Sequence, residues 1–261
     1  MKIVIIGAGN LATIIGKALY YAGHDIVQVY SKTMEHASQL ADKVGGAPIT
    51  NTDNLNGGAD VYMVSIADAA LAELIPKICQ SKAHKLFIHT AGSVPMDIFK
   101  GMALHYGVLY PLQTFSKERS LQLKDVPCFL EANDAFAEAR LKQLAESIFE
   151  NIFFLSSEKR KQLHLAAVFA CNFANHCYAI ADRIVSKIGV PFTVLLPLIN
   201  ETAAKVNEFS PIDAQTGPAV RFDQNVIRMQ AALLKNNPML KDIYERMSMD
   251  IHLFTIENRK S

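Results

Sequence analysis

The stretch Lys2-Ile3-Val4-Ile5-Ile6-Gly7-Ala8-Gly9-Asn10-Leu11-Ala12 opens on a β-branched apolar run, breaks at two glycines and passes into a helical pattern. The spacing Gly7-x-Gly9-x-x-Ala12 carries physical meaning in that context, directly after a strand and at the opening of a helix. Gly7 permits the tight turn, Gly9 lets a pyrophosphate approach the backbone with no Cβ in the way, and Ala12 lets the helix lie close to the sheet. The free N–H groups of the helix start, with about half a unit of positive charge, are suited to receive the phosphates. The turn therefore predicts a dinucleotide site that includes Gly7, Gly9, Asn10 and Leu11. A merely structural glycine turn is the alternative.

Working outward, strands are predicted at residues 2–6, 25–30, 47–50, 61–66 and 85–89, separated by helices at 11–22, 34–43 and 69–79. Further strands at 103–109, 126–131 and 152–155 and a helix at 135–150 extend the same sheet. This alternation is that of an α/β Rossmann domain with a doubly wound, mostly parallel sheet, over residues 1–156. From residue 157 to 261 the strand signal stops, and the pattern is helical with breaks at 189–191, 210–211 and 236–238. A second, all-α domain for substrate binding and dimerisation is expected there. Its first helix, residues 158–188, is apolar on more than one side, which predicts packing against a second copy; burial within a monomeric bundle is the alternative.

Among the 261 residues, 26 Lys plus Arg face 25 Asp plus Glu, so no basic block offers nucleic acid an electrostatic footprint. Cys79, Cys128, Cys171 and Cys177 form no C-x-x-C pair and no zinc-ligand spacing with histidine, so they read as small buried side chains, and no metal is expected. No apolar stretch reaches the roughly 18 residues of a membrane span, and the first apolar run is too short for a secretion signal. A soluble cytoplasmic protein with no membrane partner is expected.

The choice of nicotinamide cofactor turns on the end of the second strand, where an acidic side chain would bind the adenosine ribose and repel a 2′-phosphate. Here stands Tyr30-Ser31-Lys32-Thr33, with no carboxylate. Ser31 and Thr33 offer hydroxyls and Lys32 a charge, so NADP is favoured over NAD; a solvated loop lysine is the other reading of Lys32. Ligands of such sheets bind outside the carboxyl ends of the strands. The loops Ser65-Ile66-Ala67-Asp68, Thr90-Ala91-Gly92-Ser93 and Tyr110 to Phe115, with Gln113 and Thr114, are therefore candidates. Asp68 reads equally well as a helix N-cap, and His89 as a buried histidine bonded to backbone. His164, Val168, Asn172 and His176 recur every four residues along one stripe of the long helix, with Asn175 near it. They line either a cleft or a polar seam between helices. Arg221 is suited to clamp a carboxylate or phosphate, or to pair with Asp223.

With these residues in view, the whole chain resembles the Rossmann-like proteins that carry a C-terminal DUF2520 domain, a family similar to pyrroline-5-carboxylate reductases and to the coenzyme F420-dependent type of NADP oxidoreductase. The resemblance rests on Gly7-Ala8-Gly9-Asn10, His89 to Ser93, Pro111 to Phe115, Ala166 to Asn172 and Thr216 to Arg221. It implies a helical domain like that of 6-phosphogluconate dehydrogenase and a homodimer through the C-terminal helices. The family pattern has His where this chain has Tyr110 and Gly where it has Phe222. Related β-hydroxyacid dehydrogenases carry a catalytic lysine one turn before an asparagine, whereas Val168 precedes Asn172 here, so a lysine mechanism is not available.

The expected function is an NADP-dependent oxidoreductase that moves hydride between nicotinamide and a small carbonyl or imine substrate in the interdomain cleft. His164 and Asn172 are the expected catalytic residues, Ser65, Ile66, Ala67, Thr90, Ala91 and Gly92 line the cofactor, and Gln113, Thr114, Asn175 and Arg221 face the substrate. A non-catalytic NADP sensor and an F420-dependent NADP reductase are the alternatives.

Overall fold

The computed structural model describes residues 1–117, 119 and 121–258, which form two compact units that divide between residues 176 and 177. Eight strands of the first unit make one sheet in the order β3-β2-β1-β4-β5-β6-β7-β8. They are β1 Lys2–Ile6, β2 Asp25–Tyr30, β3 Ala47–Ile49, β4 Val61–Val64, β5 Leu86–His89, β6 His105–Pro111, β7 Cys128–Ala132 and β8 Ile152–Phe154. All neighbouring pairs are parallel except β6 with β7. The fold is thus an α/β doubly wound, mostly parallel sheet followed by a helical C-terminal part.

Strand β1 shows why the sheet is covered on both sides. Ile3 and Ile5 enter one apolar cluster with Ile15, Leu19 and Leu40, whereas Val4 and Ile6 enter another with Tyr62, Leu71 and Phe87. Side chains that alternate between faces and are all apolar require helices above and below. Those helices are α1 Asn10–Tyr21, α2 Met34–Val44, α3 Asp68–Cys79 and α4 Ala135–Glu146. Thr33 and Asp134 cap α2 and α4 through their side chains, accepting from His36 and Ala137 N–H.

Strand β6 departs from the predicted 103–109. It runs two residues further on, taking Tyr110 and Pro111 out of the expected loop and into register with Phe129 and Cys128 of β7. A proline ordinarily interrupts a strand, but pairing with β5 ends at Val108, so Pro111 lies beyond it with only β7 alongside. A missing N–H is tolerated in such a place.

The long helix also departs from the uniform α-helix expected over 158–188. Helix α5, Ser157–Ala167, gives way to a π turn at Val168–Phe173 and resumes as α6, Ala174–Ser186. Short π segments appear as single widened turns inside α-helices, often at functional sites. In a regular helix Asn172 would stand about 80° round from His164. One extra residue in the turn takes back about 100°, which leaves the two close to one line.

The second unit holds α7 Leu196–Lys205, α8 Gln224–Leu233 and α9 Pro238–Asn258. Asp223 caps α8 by accepting from Val226 N–H, so it serves the helix start. Phe222 before it has φ 53°, the left-handed region where glycine carries no penalty and a bulky residue does. Its ring stacks on His252 at 4.1 Å between centroids, an apolar contact that a glycine would lose. Among the described residues no helix is long and apolar enough to cross a membrane.

Candidate cofactor and active site

The glycine turn shows two different requirements for a missing side chain. Gly7 has φ 118°, and a Cβ there would run into the carbonyl oxygen of Ser65 and lie 3.0 Å from Ile66 Cγ2. Gly9 is the reverse case, because a Cβ there would meet nothing within 4 Å. The space over Gly9 is open, and Gly9 contributes no side-chain cap to α1, whose first turn has no acidic residue. A dinucleotide pyrophosphate fits this cradle: bare N–H groups, a helix start and no competing carboxylate.

From this turn a cavity of about 960 Å³ runs across the carboxyl ends of the parallel strands. Toward β2 and β3 it is lined by Ser31, Lys32, His36 and Thr50 to Thr52, and in the middle by Ser65, Ile66, Ala67 and Asp68. Toward β6 it is lined by Thr90, Ala91, Gly92, Tyr110 and His164. All the residues anticipated for the cofactor line it except Thr33, whose hydroxyl accepts from His36 N–H at the start of α2. Gln113 and Thr114 are not among the lining residues, but their loop is tied to the turn, since Asn10 Nδ2 donates to Phe115 O at 3.0 Å and Lys117 reaches the cavity. Asn172 and Asn175 are on the helix and do not line this cavity, and Arg221 lies exposed in the second unit.

Sequence reasoning missed Glu73 and Lys77, which also line the cavity. Their four-residue spacing on α3 was the available signal. They pair at 2.8 Å, and the Lys77 ammonium holds the Glu73 carboxyl below its ordinary range.

Two cross-loop bonds keep the middle of the cavity rigid. Thr90 Oγ1 donates to Ser65 Oγ at 3.1 Å, and Ser93 donates to the Asp68 carboxylate. Asp68 is therefore not the N-cap of α3; that place belongs to Ala67, and Asp68 bridges two loops instead. His89 is fully buried and accepts from Ala91 N–H at 3.1 Å. Burial, and then the Arg160 guanidinium, push its pKa down to about 4, so the ring is neutral at physiological pH.

Arg160 and Glu131, absent from the sequence expectations, organise the β6 side. Arg160 is 1% exposed, donates to the Glu131 carboxylate and gives 2.6 Å to Val94 O. Glu131 further accepts from Ser157 N–H at 2.8 Å and Ser157 O–H at 2.6 Å, which pins the first turn of α5 to the sheet. Strand register then brings His164 to Tyr110. Glu131 and His89 both stand opposite Val108, and Tyr110 lies two residues further along the same face. Two strand residues advance about 6.6 Å, and four helical residues about 6 Å. Thus if Arg160 meets Glu131, His164 one turn later meets Tyr110, and Tyr110 Oη lies 2.9 Å from His164 Nδ1. Gly92 makes room, because a Cβ there would lie 2.5 Å from His164 Nδ1 and 2.9 Å from Tyr110 Cε2. Burial raises the Tyr110 hydroxyl above its usual range against the opposing pull of Arg160, so it is protonated at neutral pH.

Residues 126–251 match the family described as Domain of unknown function (DUF2520), and residues 2–92 match the family described as NADP oxidoreductase coenzyme F420-dependent. The chain is 49% identical to a crystallised candidate NADP oxidoreductase from Bacteroides fragilis, covering 96% of this chain and 97% of that one with a TM-score of 0.92. A pyrroline-5-carboxylate reductase from Streptococcus pyogenes, at 17% identity, covers 97% and 98% of the two chains with a TM-score of 0.62. An imine reductase from Myxococcus stipitatus in complex with NADP+, at 13% identity, covers 100% and 94% with a TM-score of 0.64. These two likenesses concern the fold. The chain spans about a third of the length of a curated relative, the glutamyl-tRNA reductase of Staphylococcus carnosus, with 27% identity over 150 residues and 32% of that protein covered. A glycine turn open to phosphate, a cavity along the strand ends and close likeness over nearly the full length of the Bacteroides protein agree: the chain belongs to the family of Rossmann-like oxidoreductases that carry a C-terminal DUF2520 domain.

Proposed function

We propose that the protein is an NADP-dependent oxidoreductase that transfers hydride between the nicotinamide and a small carbonyl or imine compound. The observation that carries this reading is the 960 Å³ cavity, which starts at the phosphate-accepting turn and ends at a pair of polar side chains, Tyr110 and His164. The bound cofactor supplies the hydride. The chain's own residues orient it: Gly7 to Leu11 take the pyrophosphate, Ser65 to Ala67 and Thr90 to Gly92 flank the ring end, and Ser31 and Lys32 take the adenosine phosphate. His164, which lines the cavity, serves charge that develops on the substrate oxygen or nitrogen. Gln113, Thr114, Asn175 and Arg221 are the side chains offered to the substrate.

Purified protein titrated with both cofactors tests this. NADPH is expected to bind more tightly than NADH, and Lys32→Ala to weaken NADPH roughly 10- to 100-fold, the loss of one charge-assisted hydrogen bond, while NADH changes less than about twofold. Equal loss for both cofactors would remove Lys32 from phosphate recognition. Oxidation of NADPH with a panel of cyclic imines and keto acids then tests the reaction; tight binding without any turnover would favour a sensor.

The same reading includes a homodimer. Leu165, Phe169, Phe173 and Ile184 along the long helix, and Ile188 in the turn just past its end, are 45% to 72% exposed, more large apolar surface than a single chain ordinarily leaves to water. Light scattering is expected to give the mass of two chains, and a monomer at all concentrations would overturn this part.

A further inference from the structure

We propose that Tyr110 is the proton donor of the reaction and that His164 recharges it, the two forming a relay from solvent to the inner end of the cavity. The inference rests on the hydride-transfer function proposed above and adds the group that completes it. Three observations of geometry carry it. Tyr110 and His164 both line the cavity, on its β6 side beside Thr90, Ala91 and Gly92. Their polar atoms are 2.9 Å apart, within hydrogen-bond range. Tyr110 is only 8% exposed whereas His164 is half-buried, so the tyrosine is the inner and the histidine the outer member. Neither position is accidental: the buried Arg160, held by the partly buried Glu131, sets the height of His164, and the bare Cα of Gly92 leaves room for both rings.

Atoms and electrons balance. Hydride with its electron pair reaches the substrate carbon from the reduced nicotinamide, and the π pair of the C=O or C=N bond moves onto oxygen or nitrogen. That atom takes the proton of the Tyr110 hydroxyl. The phenolate oxygen takes the proton of His164 Nδ1–H, and Nε2 of the same ring takes one from a solvent acid, hydronium or buffer. The net uptake is one hydride and one proton. Tyr110 also fits the chemistry as a donor, because its protonated form is the one favoured in this pocket. A positioned acid of this kind contributes about 10²- to 10⁴-fold to rate.

Two readouts test the relay. In the protein without cofactor, the 15N resonance of His164 Nδ1, assigned by its loss in His164→Gln, is expected to carry a hydrogen-bond shift that Tyr110→Phe removes. With NADPH and a cyclic imine such as 2-methyl-1-pyrroline, or a keto acid such as pyruvate, Tyr110→Phe is expected to lower kcat at least about 100-fold. NADPH affinity should stay within about twofold, and the solvent deuterium isotope effect should grow as proton delivery becomes limiting. An unchanged Nδ1 resonance, or a Tyr110→Phe rate within about threefold of the parent, overturns the relay and leaves the proposed function standing. A parent protein that oxidises NADPH with no member of the panel overturns the hydride-transfer function, and the relay with it. Gly92→Ala, whose Cβ would wedge between the two rings, is expected to reproduce both effects with Tyr110 and His164 still present.

Discussion

Glu131→Ala is expected to destabilise the sheet-bearing unit by about 3 to 5 kcal/mol, the cost of leaving a buried charge without its partner. Arg160 is the largest fully buried side chain among the described residues, at 1% exposure, and Glu131 is the carboxylate that neutralises it while also accepting from both the N–H and O–H of Ser157. Removing the carboxylate strands the guanidinium in a medium where it cannot be solvated and frees the first turn of α5. Chemical denaturation followed by circular dichroism measures the loss as a fall in the midpoint. The double replacement of Glu131 and Arg160 by methionine is expected to recover most of it, because both charges leave together. If Glu131→Ala costs less than about 1 kcal/mol, as an exposed pair would, the Arg160 guanidinium is not buried against this carboxylate in solution. A displaced α5 also displaces His164, so the same variant should lose activity.

The second large effect is expected at Gly7. An alanine there must adopt φ 118° and place its Cβ against the Ser65 carbonyl, which belongs to backbone and cannot rotate aside. Strain of about 1 to 3 kcal/mol adds to a similar cost for overpacking. Relief can come only by shifting the turn away from β4, which moves the N–H groups that receive the pyrophosphate. Each such bond is worth roughly 10- to 100-fold in affinity, so NADPH binding to Gly7→Ala is expected to fall at least about 100-fold. Gly9→Ala is the informative contrast. Its Cβ would meet nothing in the protein, so the fold should keep its stability while the cofactor, which would meet that Cβ, binds more weakly. Equal loss of stability in the two variants would contradict the division of roles between the glycines.

The contrast between these sites explains which features are legible in sequence. The glycine turn, the strand alternation and the β2 end at Ser31 and Lys32 are local: each depends on neighbours a few residues apart, which periodicity and spacing reveal. Asp68 is ambiguous in sequence because a cap and a cross-loop bond ask for the same side chain, and only the approach of Ser93 decides between them. Arg160 and Glu131 are separated by 29 positions, and their meeting depends on the register of an antiparallel pair that no local pattern encodes. Tyr110 is legible as part of a candidate loop, but Pro111 hides that it sits on a strand, and the family pattern has histidine at that position. Its partner His164 is legible as part of a polar stripe on an apolar helix, but what it touches is not. The π turn leaves no mark on the sequence, since Val168 to Phe173 is as suited to an ordinary helix as to a widened one.

Because β7 and β8 run against the other six strands, α5 sets out from the floor of the sheet and climbs toward its rim, held at Glu131 before it reaches Tyr110. The histidine it carries gives up its rotational freedom when the chain folds, not when a ligand arrives. Ordering a side chain on association commonly subtracts about 0.5 to 1.5 kcal/mol from affinity, and at this position that subtraction has been made beforehand. The rim of the sheet thus meets an incoming molecule as a finished surface, with the scaffolding for its innermost acid already standing.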